Sequence, residues 1–228
     1  MAYKKILGII QARMNSSRLP GKVMLDIEGK SALERVICRV KLSKLLDHLV
    51  VATTDNKIDD SIVNVCNRLA IDVYRGPEHD VLARFLGAAA RFEGAIIVRI
   101  TADCPMHDGQ VIDSALKLYK KSNYDYISNV VKRSFPDGLD VEVFSYSLLE
   151  ICNNEAKHPF FREHVTTYIR GTREDLPRGN FSLGHLIHSK NYAHLRWTLD
   201  TEEDLKNICK YYKVLPENFS WLDAIEIS

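Results

Sequence analysis

Residues 6–22, ILGIIQARMNSSRLPGK, decide the fold class of this chain. The apolar run Ile6–Ile10 predicts a buried strand, because strands of a parallel sheet are covered on both faces. Polar residues follow the run, and Pro20-Gly21 predicts the turn that closes the resulting loop. Ser31, with Glu34 three residues later, predicts a capping box at the start of a helix. The chain therefore begins with a strand–loop–helix unit.

The loop of this unit is rich in cations and hydroxyl groups. It holds Arg13, Arg18 and Lys22, together with Ser16 and Ser17. Arginine forks, hydroxyls and backbone N–H groups can together bind a polyphosphate. The loop lacks the glycines of the P-loop and dinucleotide patterns, so its spacing indicates an anion site without naming the ligand. The alternative is a loop of solvated charges that carries no chemistry.

Strand and helix patterns alternate through the first hundred residues. Further strands are predicted at 48–52, 72–75 and 95–100, and helices with apolar stripes at 31–42, 58–69 and 82–89. This βαβαβαβ order predicts the α/β class, as a three-layer αβα sandwich around a mostly parallel, Rossmann-like nucleotide-binding sheet. Right-handed crossovers then place the loops after the first and fourth strands at the same edge of the sheet.

The pattern changes after Lys121. Strands are predicted at 126–128, 139–144, 181–189 and 195–199, and helices at 145–153, 159–170 and 202–212. We expect a single domain over residues 1–228, with a small extension at about 124–190. The segment Tyr124–Phe144 is apolar and aromatic beyond what a lone domain needs to cover one sheet. The extension is therefore expected to mediate dimerisation, giving a homodimer.

The composition argues against several classes of protein. The formal net charge of +1 provides no overall field to attract nucleic acid or a membrane surface. The N-terminus has no signal-peptide pattern, and no apolar run reaches the length of a membrane span, so a cytoplasmic location is expected. The five cysteines are scattered without a C-x-x-C pair, which disfavours a zinc site or a disulfide framework.

Two aspartates follow predicted strands. Asp103 comes directly after the most apolar strand, and Asp200 lies between the strand at 195–199 and a helix. The carboxyl ends of central strands are where ligands bind in open parallel sheets. Carboxylates that face the cationic loop could hold Mg²⁺ against bound phosphates. The alternative is that each aspartate only caps a turn or a helix.

These motifs resemble the cytidylyltransferases that activate acidic sugars such as sialic and octulosonic acids. The sequence QARMNSSRLPGK at 11–22, DCP at 103–105 and DTEEDL at 200–205 match the family's three motifs in order. RITADCP at 99–105, FPDGLDVE at 135–142 and REHVT at 162–166 are most similar to the spore coat polysaccharide biosynthesis protein F group. The octulosonate enzymes have Gln-Gly-Asp where this chain has Thr101-Ala102-Asp103, which removes a base or ribose contact.

The resemblance implies roles for individual residues. Catalysis is assigned to Arg13, Arg18, Lys22 and Asp103, and Mg²⁺ binding to Asp103 and Asp200. The nucleotide-binding residues are Gln11, Ala12, Arg13, Ser17, Arg18, Lys22, Thr53, Arg75, Thr101 and Asp103. The dense charges at Asp140, Glu142, Arg162, Glu163 and His164 are interpreted as the acceptor pocket, in which Arg162 could hold a sugar carboxylate bidentately. The alternative is a solvated helix end and hairpin face.

The expected reaction is transfer of CMP from CTP to a 2-keto nonulosonic or octulosonic sugar acid, with release of pyrophosphate. The resemblance places this reaction in surface polysaccharide biosynthesis. One alternative is a nucleotidyltransferase that uses UTP or GTP with another sugar. A second is a regulatory protein that binds a nucleotide without catalysis, which the presence of both aspartates disfavours.

Overall fold

A seven-stranded sheet forms the centre of the computed structural model, which describes residues 4–172 and 174–228. The strands in chain order are β1 (Ile6–Gln11), β2 (Asp26–Ile27), β3 (Lys30–Ser31), β4 (His48–Thr54), β5 (Asp72–Gly76), β6 (Ile96–Thr101), β7 (Tyr126–Ser128), β8 (Glu142–Ser145) and β9 (Leu183–His185). The helices are α1 (Ala32–Val40), α2 (Asp60–Arg68), α3 (Val81–Arg91), α4 (Gly109–Lys121), α5 (Tyr146–Glu155), α6 (Pro159–His164), α7 (Thr167–Arg170), α8 (Glu202–Val214) and α9 (Trp221–Glu226).

The sheet is mostly parallel, as predicted. Its order is β5-β4-β1-β6-β8-β7-β9, and β2 and β3 form a separate hairpin. Strands β5, β4, β1 and β6 are parallel neighbours, whereas β8 runs antiparallel between β6 and β7. Gln11 at the end of β1 is in register with Thr101 at the end of β6. The loops after these two strands therefore lie side by side, which confirms the predicted placement.

Two hydrophobic cores cover the two faces of the sheet. Along β1, Ile6 and Ile10 pack into one core with α1, α2, α4, α8 and α9. Leu7 and Ile9 point to the opposite face and pack with α3, α5, α6 and α7. This alternation follows from the two-residue period of a strand and confirms the three-layer αβα arrangement. Among the described residues, no helix is long and apolar enough to cross a bilayer.

The predicted extension is built into the central sheet. Strands β7, β8 and β9 come from residues 124–190 and extend the sheet beyond β6, while α5, α6 and α7 cover one face. The homodimer stays a prediction. All five cysteines are free thiols.

Several predicted elements are wrong in extent or kind. The helix expected at 159–170 divides into α6 and α7 because Val165 has a φ of +52°, outside the helical region. The strands expected at 139–144 and 181–189 shrink to β8 and β9. The strand expected at 195–199 is absent from the described residues, where a single bridge joins Arg196 to Asp137. Helices α4 and α9 and the β2–β3 hairpin were not predicted.

Candidate active site

A cavity of about 550 Å³ opens at the carboxyl ends of β1 and β6. Most of the predicted site residues line it. They are Gln11, Ala12, Arg13, Ser17, Arg18, Lys22, Thr101, Asp103, Asp140, Glu142, Glu163, His164 and Asp200. Residues from all three motifs of the sequence therefore meet in one cavity, because the strands that precede two of these motifs are adjacent in the sheet.

The cationic loop after β1, residues 12–22, is held in place by backbone contacts. Ala12 N donates to Ala52 O at 3.1 Å, and Gly21 N donates to Met14 O at 2.8 Å. Gly21 has a φ of +72°, a conformation that glycine adopts without a steric penalty. Met14 N donates to Asp59 Oδ1 at 2.8 Å. Asp59 is a buried carboxylate that sequence reasoning missed, since nothing in its spacing distinguishes it from an ordinary residue before a helix.

Lys22 lies between the two aspartates. Its Nζ donates to Asp103 Oδ2 at 2.7 Å and to Asp200 Oδ1 at 2.8 Å. Burial alone would lower the pKa of Lys22, but the charge of Asp103 and hydrogen bonds to both aspartates outweigh burial and raise it. Burial would raise the pKa of Asp103, but the Lys22 ammonium outweighs it and lowers that pKa. Both groups are therefore charged in the neutral range.

Neither aspartate is a helix cap. The N-cap of α4 is Asp108, whose side chain accepts from Gln110 N. The N-cap of α8 is Thr201, which forms a capping box with Asp204. The helix-capping role that the sequence left open for Asp103 and Asp200 is thus taken by neighbouring residues.

Two arginines also contact the Asp200 carboxylate. Arg18 Nη2 lies 2.8 Å from Oδ1, the same oxygen that Lys22 contacts. Arg196 Nη2 donates to the other oxygen, Oδ2, at 2.6 Å. Asp200 is only 5% exposed, so these contacts compensate a carboxylate that water scarcely reaches. They also tie the cationic loop to the C-terminal part of the chain.

The two aspartates suit a hard divalent cation. Their oxygens converge on one point, which the Lys22 ammonium marks. Among residues 4–172 and 174–228, no group of three or more His, Cys, Asp or Glu side chains forms a complete metal cage. Magnesium is commonly bound by one or two carboxylates, with water and substrate phosphates completing its coordination. The residues present therefore fit Mg²⁺ bound together with a phosphate ligand.

One wall of the cavity is built on two partly buried arginines around the buried Glu142. Arg99 Nη1 donates to Glu142, and Arg99 Nη2 donates to Gln11 Oε1 at 3.1 Å. Arg170 Nε lies 3.9 Å from Glu142. Burial would raise the pKa of Glu142, but Arg99 and Arg170 outweigh it and lower the pKa to about 2. Two cations against one anion leave this wall with a net positive charge.

A second wall of the cavity comes from the segment between β7 and β8. Arg133 forms a bidentate contact with Asp140, with Nη1 at 2.8 Å from Oδ1 and Nη2 at 2.9 Å from Oδ2. Asp137 pairs with Arg196 at 3.1 Å. Even so, burial raises the pKa of Asp140 above its ordinary value. The arginines of both walls were missed by sequence reasoning, although Arg99 is visible as a charge inside an apolar strand.

Three predicted residues do not line the cavity. Thr53 is fully buried, and its hydroxyl donates to Asp59 Oδ2 at 3.0 Å. Arg75 pairs with Asp60 at 2.6 Å and donates to the carbonyls of Thr54 and Asn56.

Arg162 is also directed elsewhere. Its guanidinium pairs with Asp80, the N-cap of α3, at 2.6 Å and also donates to Asn153 of α5. These contacts join α6 to the start of α3 and to α5. The assignment of Arg162 to an acceptor carboxylate stays a prediction, which these contacts outside the cavity do not support.

Comparison with known proteins agrees with these motifs. Residues 7–218 match the family model described as cytidylyltransferase. The spore coat polysaccharide biosynthesis protein SpsF of Bacillus subtilis is 35% identical over 216 residues, covering 91% of this chain and 86% of that protein. The 3-deoxy-manno-octulosonate cytidylyltransferase of Geobacter sulfurreducens is 32% identical over 202 residues, covering 82% of this chain and 73% of that protein.

The same similarity extends to a solved structure. A cytidylyltransferase from Leptospira borgpetersenii superposes with a TM-score of 0.91 at 33% identity, covering 99% of this chain and 94% of that chain. The resemblance predicted from the three motifs is confirmed, because the matched family model spans all of them. The chain belongs to the cytidylyltransferase family.

Proposed function

We propose that the protein transfers CMP from CTP to an acidic 2-keto sugar, with release of pyrophosphate, in the synthesis of a surface polysaccharide. The observation that carries the proposal is the meeting of the cationic loop with Asp103 and Asp200 in one cavity. The family supports the nucleotide, and the names of the Bacillus and Geobacter relatives support the class of acceptor and product.

The loop after β1 is assigned to the triphosphate. Arg13, Arg18 and Lys22 line the cavity with the hydroxyl groups of Ser16 and Ser17. Charge-assisted hydrogen bonds from these groups would hold the phosphate oxygens and orient the α-phosphorus. The same cations would stabilise the negative charge that develops on the departing pyrophosphate.

The carboxylates of Asp103 and Asp200 are assigned to Mg²⁺. When bound, Mg²⁺ would reduce the charge on the α-phosphate and position the attacking sugar hydroxyl. Asp200 would be oriented by Arg196, whose contact with Oδ2 leaves Oδ1 directed toward Lys22 and Asp103.

The positively charged wall is assigned to the acceptor carboxylate. Nε of Arg170 has no hydrogen-bond partner among the described residues, although the side chain lines the cavity. Arg99 and Arg170 share the single carboxylate of Glu142, so an incoming carboxylate would balance the wall. Asp140, Glu163 and His164 also line the cavity and stay in the proposed acceptor pocket.

A pyrophosphate-release assay tests the reaction. CTP, UTP and GTP are each supplied with a panel of sialic, legionaminic, pseudaminic and octulosonic acids. The proposal expects turnover with CTP and one or more of these acids, and with no other nucleotide at a comparable rate. Turnover only with UTP or GTP would select the alternative nucleotidyltransferase, and nucleotide binding without turnover would select the regulatory protein.

Replacement of Asp103 by Asn tests the metal assignment. The variant should keep its fold but lose activity by roughly two orders of magnitude or more, because Asn lacks the charge that a hard cation requires. Asp200→Asn should lose activity similarly and also melt earlier, since three cations surround Asp200. Turnover and circular-dichroism melting are measured together.

Asp204→Asn is the matched control. Asp204 lies in the same helix start, but it accepts from the backbone of Asp200 and Thr201 and does not line the cavity. It should lose some stability and retain turnover. Near-normal turnover of Asp103→Asn would remove the metal from this site.

A further inference from the structure

The Lys22 ammonium occupies the place that a bridging cation would need. It contacts Asp103 Oδ2 and Asp200 Oδ1, the two oxygens that converge. Lys22 is only 7% exposed, so it is a buried part of the site and not a mobile surface charge. Arg18 contacts the same Oδ1 atom of Asp200. The converging oxygens of Asp103 and Asp200, the acidic pair, are thus neutralised by cations of the chain itself.

We infer that Lys22 is a transferable cation, which holds the acidic pair until metal and triphosphate bind and then moves to the triphosphate. This inference rests on the proposed function, since it assumes that Asp103 and Asp200 receive the metal. It adds a consequence that the proposed reaction does not require. The metal must compete with Lys22, and the triphosphate must relieve that competition.

The competition follows from the contacts of the acidic pair. Magnesium binds oxygen at about 2.0–2.1 Å and cannot share both oxygens with an ammonium placed between them. Two cations in one buried space would also repel each other strongly. Arg196 does not need to move, because it contacts Oδ2 of Asp200 and leaves Oδ1 to be vacated.

The Lys22 side chain is flexible enough to move, and a bound triphosphate would provide acceptors for its ammonium. Its four-carbon side chain is flexible, and its ammonium is a compact charge with three donors. It lies in the loop that also carries Arg13, Ser16 and Ser17 toward the cavity. A triphosphate held by that loop offers oxygens to the released ammonium. Arg18 can follow the same route, because its side chain is 64% exposed.

The inference predicts opposite effects of one substitution on two ligands. Removal of the Lys22 charge should weaken CTP binding, as expected for a lost phosphate contact. The same change should strengthen binding of the metal alone, because the competitor is gone. A role for Lys22 in phosphate binding alone would predict no gain in metal affinity.

Manganese is the probe for the first experiment. Free Mn²⁺ is followed by electron paramagnetic resonance during titration of nucleotide-free protein. Lys22→Gln keeps hydrogen-bond donors without the charge, and Lys22→Met removes both. Each should bind Mn²⁺ about tenfold more tightly than wild type, equivalent to about 1.4 kcal/mol. Adding Asp103→Asn to Lys22→Gln should abolish the gain.

Lys30→Gln serves as the control for a general change in charge. Lys30 pairs with Glu217 and does not line the cavity. Its substitution should leave Mn²⁺ affinity unchanged. Unchanged Mn²⁺ affinity in folded Lys22→Gln and Lys22→Met would overturn the inference, while turnover of the wild type with CTP would leave the proposed function standing. Failure of the whole nucleotide panel would instead contradict the proposed function.

A second measurement uses wild-type protein and does not depend on the variants folding. The rate of Lys22 acetylation is measured by mass spectrometry, with Lys30 as internal reference. Saturating Mn²⁺ alone should raise the Lys22 rate several-fold as its ammonium is expelled, and CTP added with Mn²⁺ should lower it again. A Lys22 rate that is insensitive to Mn²⁺ would contradict the inference.

Discussion

Asp59 shows how one buried residue can shape a site that it does not line. Its carboxylate accepts from Met14 N at 2.8 Å and from Thr53 Oγ1 and Thr54 N at 3.0 and 3.1 Å. These contacts join the end of β4 to the cationic loop. Asp59 is only 1% exposed, so each contact forms away from competing water. We assign it as a positioning residue for the triphosphate loop.

Asp59→Asn should therefore weaken CTP binding without changing the rate of the chemical step. An amide retains one acceptor and loses the charge, so the loop loses at least one of its fixed contacts. We expect the dissociation constant for CTP to rise about fivefold to tenfold, on the order of 1–1.5 kcal/mol, as for the loss of one typical hydrogen bond. KM should rise and kcat should change little. Calorimetry and steady-state kinetics measure the two effects.

Asp60→Asn is the matched control for this change. Asp60 is the next residue and pairs with Arg75 outside the cavity. Its substitution should leave both CTP affinity and KM unchanged. Equal effects at the two positions would mean that Asp59 acts through helix stability and not through the loop.

Single residues also show how far the sequence predicts the site. Arg13, Lys22 and Asp103, which belong to motifs that follow strand ends, line the cavity. Thr53 and Arg75, which were predicted to bind the nucleotide, do not line the cavity, since a position near a strand end does not reveal which way a side chain points. Arg162 is bonded outside the cavity to Asp80 at the N-cap of α3 and to Asn153 of α5, and the sequence pattern does not reveal these partners. Side-chain direction at such positions is decided by tertiary packing.

At the scale of elements, the turn at 135–138 and the segment 195–200 position the second carboxylate. Trp197 N donates to Asp137 O at 2.6 Å, and Asp137 N donates to Leu195 O at 2.9 Å. The two segments approach closely at Gly138, where an added Cβ would lie 2.7 Å from the carbonyl carbon of Trp197. Gly138 has a φ of +115°, which other residues rarely adopt. Because Gly138 has no side chain, the turn at 135–138 can approach the segment 195–200 closely.

Gly138→Ala should separate these two segments. A methyl group against backbone atoms cannot be accommodated by rotation of a side chain, and the positive φ adds strain. We expect a loss of about 2–4 kcal/mol in the free energy of unfolding. Urea denaturation followed by circular dichroism measures it.

Gly29→Ala distinguishes strain from the clash. Gly29 has a φ of +82°, but an added Cβ would meet nothing within 4 Å. Its loss should be limited to the conformational penalty, about 1 kcal/mol. If Gly138→Ala cost no more than Gly29→Ala, close approach would not hold the segments together.

The same elements explain why part of the fold was not predictable. Residues 195–199 have the apolar pattern of a strand, yet their backbone bonds go to a turn and to Asp103 and not to a neighbouring strand. The helical pattern at 159–170 continues through Val165, while the backbone breaks there. In contrast, β1, β4 and β6 were predicted because each is a mostly buried apolar run that is followed by a helix. The partly buried edge strand β5 was predicted because it lies between a helical pattern and the turn residues Gly76-Pro77. Periodicity reports burial, and it does not report which backbone groups pair.

At the scale of the whole molecule, a buried histidine joins two layers of the fold. His107 lies between β6 and α4, and its carbonyl accepts from Arg39 Nε of α1 at 2.7 Å. The side chain is fully buried, and neither ring nitrogen has a hydrogen-bond partner among the described residues. Burial lowers the pKa of His107 to about 4. The folded protein therefore holds this imidazole neutral.

Because of this imidazole, the free energy of unfolding should decrease as the pH falls into the mildly acidic range. Between pH 6.5 and 4 the unfolded chain binds a proton that the folded protein excludes, so the free energy of unfolding falls as the pH falls. The loss should be on the order of 3 kcal/mol over this window. His107→Leu should flatten the dependence, whereas His79→Ala should not, because the His79 side chain is 93% exposed. Urea denaturation at several pH values gives both slopes, and parallel curves for wild type and His107→Leu would contradict the assignment.

One backbone hydrogen bond has a consequence for how the site comes into being. Leu199 N donates to Asp103 O at 2.8 Å, which fixes the separation of the two acidic residues through the main chain. The residues it joins are far apart in sequence, so this contact forms only after a long loop has closed. During synthesis on the ribosome, Lys22 and Asp103 emerge well before Asp200. A nascent chain can therefore form the phosphate loop early, but it acquires the acidic pair only after Asp200 has been synthesised.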